Sequence, residues 1–263
     1  MAAIRNSGLS SELPMLSATA QIAGAGTTIH TVMRTNAVAT TNSSQDMRPQ
    51  VWDSFVMTGL ERLRAAFTRP LPGLDAQLRM APSPRVGWDP LKFPDGAANG
   101  AALLLIYPHD ETLHVPLTVR GSGLRNHTGQ VSLPGGRVDE GETFVQAALR
   151  EAAEEIGVDP STVTILGPLT PLHIPVSGFL LHPIVGVTSV RPAFQRAEWE
   201  VARIIEAPVA TLSDPAVIKR ETRTRMVQGQ SIEVEVPYFD IDGEKVWGAT
   251  AMVLAEFCAI LTS

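Results

Sequence analysis

Residues 133–158 read LPGGRVDEGETFVQAALREAAEEIGV, and this stretch constrains the chain more than any other. On an ideal helix each residue turns by about 100°. Val145, Ala148, Leu149, Ala152 and Ile156 then form one apolar face, and Glu151, Glu154 and Glu155 gather roughly 120° around from it. Carboxylates crowded into about one turn repel each other, because like charges at i,i+4 destabilise a helix. Arg150 offsets part of that repulsion. A hard divalent cation offsets the rest: magnesium takes oxygen ligands and completes its shell with waters, carboxylates and substrate phosphate. Gly135-Gly136 is expected to allow a tight bend that points a carbonyl at the same ion. Gly157 is expected to let the chain leave through a left-handed cap. Ala147, one turn before Glu151, is expected to leave room for a substrate. On composition alone the alternative is a solvated helix face; the spacing favours the cation.

A chain of 263 residues with 44% hydrophobic content suits one large domain, or one domain plus extensions, with a sizeable core. The formal net charge is −6. Phosphates bound here must be neutralised locally, by metal ions or a few arginines, and nucleic acid is not an expected partner. The single cysteine, Cys258, excludes an intramolecular disulfide and a thiolate metal cage. It is expected to sit in the core of the last helix, as free cysteine usually does. No apolar run approaches the ~18 residues of a membrane span.

Residues 1–46 are rich in Ser, Thr and Ala and carry only Arg5, Glu12, Arg34 and Asp46 as charges. They read as a low-complexity extension, with Met47 as a working start. The alternative is an organellar presequence, which would move the protein from the cytoplasm to an organellar matrix. Residues 47–83 read as a helix and a proline-rich linker. Trp52, Phe55, Val56, Leu60, Leu63 and Phe67 recur at helical spacing, until Pro70 and Pro72 end the pattern. The helix is expected to pack on the domain or on a second subunit, and a monomer and a homodimer both stay open. Residues 84–263 read as the main domain. AALLLIYP, TLHVPLTVRG and GQVSLPGG predict strands before the helix at 142–156, and Pro116 marks an edge or a bulge in the second. VTILGPLTPLHIP and GFLLHPIVGVTSV predict strands after it, and IEVEVPYFDIDGEKVWGA a hairpin turning at Asp242-Gly243. TAMVLAEFCAILTS predicts an amphipathic helix. Strands interspersed with helices predict an α/β sheet covered by helices.

Residues 136–158 resemble the signature of the Nudix hydrolases. Its specified positions are filled here by Gly136, Glu142, Arg150, Glu151, Glu154, Glu155 and Gly157, with Ala152 and Val158 at apolar positions. At ~7% frequency per specified residue, a chance match is on the order of 10⁻⁸ per starting position. The resemblance implies an α/β/α sandwich with a mixed sheet, and metal-dependent hydrolysis of a diphosphate linked to another group. It implies that Glu151, Glu154 and Glu155 bind Mg²⁺ or Mn²⁺ and that Glu151 also orients or deprotonates the attacking water. Arg150 is implied as a salt-bridge partner of the carboxylates, Glu142 as support for the helix or for a further ion, and the Gly135 carbonyl as a ligand.

Residues 117–136, LTVRGSGLRNHTGQVSLPGG, resemble the additional signature of the coenzyme A diphosphatase branch at Leu117, Thr118, Arg120, Arg125, Gly129, Pro134, Gly135 and Gly136. Gly121 stands where Ser or Ala is usual, and Leu133 where Phe is usual. The likeness continues in SGFLLHPIVG (177–186) and KVWGATA (245–251). It implies a coenzyme A-type substrate, with Arg120 and Arg125 clamping phosphate and His127 adding a hydrogen bond. Ordinary surface chemistry is the alternative for each. His173 and His182 are expected to be structural, and Glu200 to be a supplementary acid near the metals. Rival readings are a Nudix enzyme for ADP-ribose, a dinucleotide or a nucleoside triphosphate, an RNA decapping enzyme, and a non-catalytic nucleotide-binding module.

Overall fold

The computed structural model describes residues 58–90, 92–121, 129–175, 177–227 and 229–262. Residues 1–46 and the first part of the 50–67 helix lie outside them. In chain order the elements are α1 (residues 58–66), α2 (Gly73–Gln77), β1 (Ala98–His109), β2 (Thr112–Arg120), β3 (Val131–Ser132), β4 (Gly135–Arg137) and α3 (Phe144–Ile156). Then come β5 (Thr164–Pro168), β6 (Leu172–Ile174), β7 (Phe179–Val187), β8 (Val201–Pro208), α4 (Val209–Leu212), β9 (Ile218–Val227), β10 (Gln230–Ile241), β11 (Glu244–Trp247) and α5 (Gly248–Leu261).

The strand β1 organises the molecule. Its apolar run does not alternate with polar residues, as expected of a strand covered on both faces. Ala102, Leu104 and Ile106 enter one core cluster, which contains Met252, Val253 and Phe257 of α5. Ala101, Leu103, Leu105 and Tyr107 enter the other, which contains Ala147, Ala148, Ala152 and Ile156 of α3. Each fully buried Leu or Ile contributes roughly 1.5–3 kcal/mol. The main sheet runs β3-β2-β1-β7-β5, with β4 on β1, β6 on β7 and β8 on β2. β1 and β7 are parallel from Ala98↔Phe179 to Ile106↔Val187, and the other pairs are antiparallel. This is the mixed sheet between helices that the sequence predicts.

Pro116 sits in a local gap in the ladder. On its β8 side it pairs with Glu206, whereas β1 partners end at His114 and β3 partners begin at Thr118. A residue without an N–H costs nothing where no ladder bond is made. The hairpin at Asp242-Gly243 forms as predicted: Ile241 faces Glu244, and the two turn residues have φ of 52° and 76°. Both positive angles belong to a type I′ turn.

Three expectations change. The 70–83 segment is more than a linker: it forms α2 and a single 3₁₀ turn, and it buries Ala76, Gln77 and Met80. Leu60 and Leu63 of α1 are buried in the same cluster, so the described part of this helix packs on the domain itself. The last helix, α5, is buried on most of its circumference rather than amphipathic. It even buries Glu256, whose carboxylate accepts from Gln77 Nε2 (2.8 Å) and Thr170 Oγ1 (2.7 Å). These bonds replace the water that the carboxylate loses. Cys258 is half-buried against this core, and burial pushes its thiol up to about 11. The strand β9 gave no apolar alternation to find, because its half-covered face carries Lys219, Glu221, Arg223 and Arg225 and its other face is exposed.

Candidate active site

The acidic helix is fixed at both ends. Thr143 Oγ1 accepts from the Gln146 backbone N–H (3.2 Å), and Gln146 Oε1 accepts from the Thr143 N–H (2.9 Å). This capping box satisfies two donors that a helix start leaves free. Gly157 ends α3 with φ 71°, the left-handed cap expected. Between these ends, small alanines let the helix lie close on β1. Ala147 is one of them: it is fully buried against the sheet, so it serves packing and leaves no room for substrate.

The buried stripe of α3 includes Glu155, and this separates the three glutamates. Glu155 is 5% exposed. The Glu151 side chain is 16% exposed and that of Glu154 is 59% exposed. Arg150 gathers the rest. Its Nε donates to Glu142 Oε1 (2.8 Å) and its Nη2 to Glu142 Oε2 (3.0 Å), a two-point fork. Its Nη1 donates to Glu151 (2.9 Å) and Glu154 (3.2 Å), and Nη2 also donates to the Arg137 carbonyl (3.0 Å). The fork, with the Asp139 N–H, holds the Glu142 carboxyl below its usual range.

The double glycine is not a bend. Gly135 and Gly136 lie in β4, paired with Ala102 and Ala101 of β1. They are glycines because of close approach. A Cβ on Gly135 would meet the Ala101 carbonyl oxygen at 2.4 Å, and one on Gly136 would meet Glu151 Oε1 at 2.4 Å. The Glu151 carboxylate thus lies directly on the Gly136 backbone.

Glu155 is the most perturbed acid of the group. Burial first, then the charges of Glu200 and Glu151, push its carboxyl up to about 8, against a bond from the Gly135 N–H. Its Oε2 is buried and has no hydrogen-bond partner among the described residues. Burial also raises Glu151, with Arg150 pulling the other way. Glu200 stands in the turn before β8, and its Oε1 is 3.6 Å from Arg120 Nη2. Fold contacts therefore bring Glu200 and Arg120, far apart in sequence, to Glu151 and Glu155 of α3. Arg125 and His127 lie outside the described residues.

Glu151, Glu200 and Arg120 stand at a cleft of about 770 Å³. Gly135, Gly136, Glu151, Arg120 and Glu200 line it, as does His173 from β6. His182 is elsewhere, stacked on Phe144 (3.5 Å) and bonded to Asn99 Oδ1 (3.1 Å). Another wall was not foreseen from sequence: it comes from residues 82–88 and from the β9–β10 hairpin, including Arg85, Trp88 and Arg225. Their only sequence signal is a tryptophan in a proline-rich stretch.

Among the described residues, no three acidic, His or Cys side chains converge closely enough to hold an ion. Glu151 and Glu154 are instead drawn to the same Arg150 nitrogen. The donor set still fits a hard divalent cation. The donors are carboxylate oxygens, Glu155 Oε2 lacks a partner in a buried place, and Gly136 leaves the Glu151 carboxylate open.

The acid-bearing helix thus packs on a mixed sheet and lines the cleft. Residues 99–207 match the model of the NUDIX domain. The chain is 33% identical over 184 residues to the uncharacterized Nudix hydrolase NudL of Pectobacterium atrosepticum, covering 68% of this chain and 86% of that protein. It is 36% identical over 146 residues to NudL of Escherichia coli (strain SMS-3-5 / SECEC), covering 53% and 71%. The chain belongs to the Nudix hydrolase family, whose members act on nucleoside diphosphate derivatives. Among solved structures it is similar to the M. smegmatis Nudix hydrolase RenU (21% identity, 45% of this chain and 74% of that one, TM-score 0.37). It is also similar to the MutT protein of Methanosarcina mazei Go1 (16% identity, 62% and 92%, TM-score 0.39). Among the described residues no helix is long and apolar enough to cross a membrane.

Proposed function

We propose that this Nudix hydrolase cleaves the diphosphate of coenzyme A or its acyl derivatives. Water adds to one phosphorus, the P–O–P bridge breaks, and the products are 3′,5′-ADP and (acyl-)4′-phosphopantetheine. The observation that carries this reading is the position of Arg120. It belongs to the 117–136 stretch that resembles the coenzyme A branch, and it lines the same cleft as Glu151. Residues 84–263 are the catalytic domain in this reading, and the lone Cys258 fits a cytoplasmic or organellar matrix setting.

In this mechanism Glu151, Glu154 and Glu155 would hold Mg²⁺ or Mn²⁺, with the Gly135 carbonyl as a further ligand. When bound, the cation cancels charge on the diphosphate and acidifies water. Glu151 orients the attacking water, because its carboxylate is held at the cleft wall between Gly136 and Arg150. Arg150 and Glu142 position Glu151 without touching substrate. Arg120, tethered by Glu200, clamps a phosphate oxygen with Arg125 and His127. Glu154, the most exposed of the three, is bonded to Arg150 here and would help to hold the ion.

The test is incubation of the full chain with Mg²⁺ and equal concentrations of coenzyme A, ADP-ribose and a dinucleotide, with products identified by mass spectrometry. Coenzyme A is expected to give 3′,5′-ADP and 4′-phosphopantetheine fastest. Faster ADP-ribose or dinucleotide cleavage would replace the substrate, and no cleavage at all would return the non-catalytic module.

A further inference from the structure

The cleft has two chemically different ends. The acids Glu151 and Glu200 line it together with Arg120 and Arg137, and Arg85 and Arg225 line it from the wall made by residues 82–88 and the β9–β10 hairpin. This wall is built rather than loosely draped. The Ser83 N–H donates to the Glu235 carbonyl (2.9 Å), and the Glu235 N–H donates back (2.8 Å), stitching the segment to β10. Farther along, a Cβ on Gly87 would touch Val227 Cγ1 at 4.0 Å, so the segment follows the hairpin toward its tip.

The basic side chains of this small sheet are mostly spoken for. Lys219 pairs with Asp240, Arg220 with Glu235, and Arg223 and Lys245 with Glu221. Arg223 also lies over the Trp247 ring, 4.0 Å from its centre. Arg225, the remaining base of the three strands, has no hydrogen bond or ion pair among the described residues, and neither has Arg85. Both of these arginines line the cleft. Beside them Trp88 and Trp247 supply flat apolar walls, and the buried Trp88 Nε1–H has no acceptor among the described residues.

We propose that Arg85 and Arg225 form a second phosphate subsite, which takes a phosphomonoester on the ribose of the substrate's nucleotide half, with the base against Trp88 and Trp247. Guanidinium forks match a terminal phosphate better than a shielded diester, because a monoester carries more charge and presents three free oxygens. The division of labour follows from charge. At the acid end the substrate's anhydride needs a cation, whereas at the arginine end a phosphate is neutralised by the protein alone. This subsite rests on the coenzyme A reading for its substrate, and it supplies a reason for the enzyme to tell a 3′-phosphorylated nucleotide from one without it.

Two measurements on the full chain test it. The first is kcat/KM for coenzyme A and for dephospho-coenzyme A, in wild type, Arg225→Ala and Arg85→Ala. Wild type is expected to favour coenzyme A by about tenfold or more, and each substitution to bring that ratio toward one. Both arginines are exposed, so the fold is not at stake. The second is calorimetric binding of 3′,5′-ADP against 5′-AMP, which needs no turnover. Wild type is expected to bind 3′,5′-ADP more tightly, and Arg225→Ala to lose the difference. If coenzyme A is cleaved but neither substitution changes the ratio, the subsite falls and the substrate reading stands. If coenzyme A is not cleaved yet the variants abolish the preference for 3′,5′-ADP, the subsite stands and the substrate reading falls. Equal binding of the two nucleotides by wild type overturns the subsite outright.

Discussion

Replacing Gly136 by alanine separates function from folding at a single methyl group. The added Cβ would lie 2.4 Å from Glu151 Oε1, 2.5 Å from Cδ and 2.7 Å from Oε2, and no backbone atom is among these contacts. Restoring an ordinary contact of roughly 3.4 Å requires the carboxylate to move by about 1 Å. That movement is cheap for stability, because the far end of a half-buried side chain can swing. It is expensive for catalysis, because a misplacement of about 1 Å costs on the order of 100-fold in rate. Gly136→Ala is therefore expected to keep its Tm within about 2 °C and to lose about 100-fold in kcat. The adjacent Gly135→Ala is the control. Its Cβ would lie 2.4 Å from the Ala101 carbonyl oxygen and 2.6 Å from Ala102 Cα, which are backbone atoms of the central strand. Overpacking of that kind costs about 1–3 kcal/mol, so Tm should fall by roughly 2–12 °C. Calorimetric melting and steady-state turnover of both variants check this. A Gly136→Ala enzyme with wild-type kcat would remove Glu151 from the chemistry, and equal loss of Tm in both variants would refute the distinction between side chain and backbone.

Glu155→Gln is expected to lose about 100-fold or more in turnover and to melt higher than wild type in EDTA, because it removes a buried carboxylate with an unpartnered oxygen. Mg²⁺ at ten times its Kd should stabilise wild type by about 1.4 kcal/mol and the variant hardly at all; equal Tm shifts would deny Glu155 a place at the ion. The second expectation concerns pH. Burial holds the His114 imidazole below its ordinary 6.5, and His182 likewise. The unfolded chain takes up these protons first as pH falls, so stability is full above about pH 6.5 and is lost below it toward the folded value. His114→Gln should flatten the fall in Tm between pH 7.5 and 5.5; an unchanged slope would show that His114 does not contribute to it.

Much of the site was written in neighbouring residues. The spacing of Gly136, Glu142, Arg150, Glu151, Glu154 and Glu155 is local, and a helix turns such spacing into a shared face without help from the rest of the chain. The same holds for the apolar run of β1 and the Asp242-Gly243 turn, whose conformations depend on a few residues each. The hairpin strand β9 was invisible because a charged, one-sided strand leaves no hydrophobic period. Arg85 and Trp88 were invisible because nothing near them in sequence hints at a cleft wall.

The amino-acid sequence alone determined that acids would crowd one turn of a helix after two glycines, and that an apolar strand would precede it. Tertiary packing decided what each of those residues does. It drew Glu155 into the core while leaving Glu154 in water, and it made Gly136 a seat for the Glu151 carboxylate rather than a bend. It also brought Glu200, Arg120 and the distant hairpin to one cleft. Periodicity is a property of a short segment, whereas burial and the loss of solvent depend on which distant segments arrive, and only the folded chain specifies those.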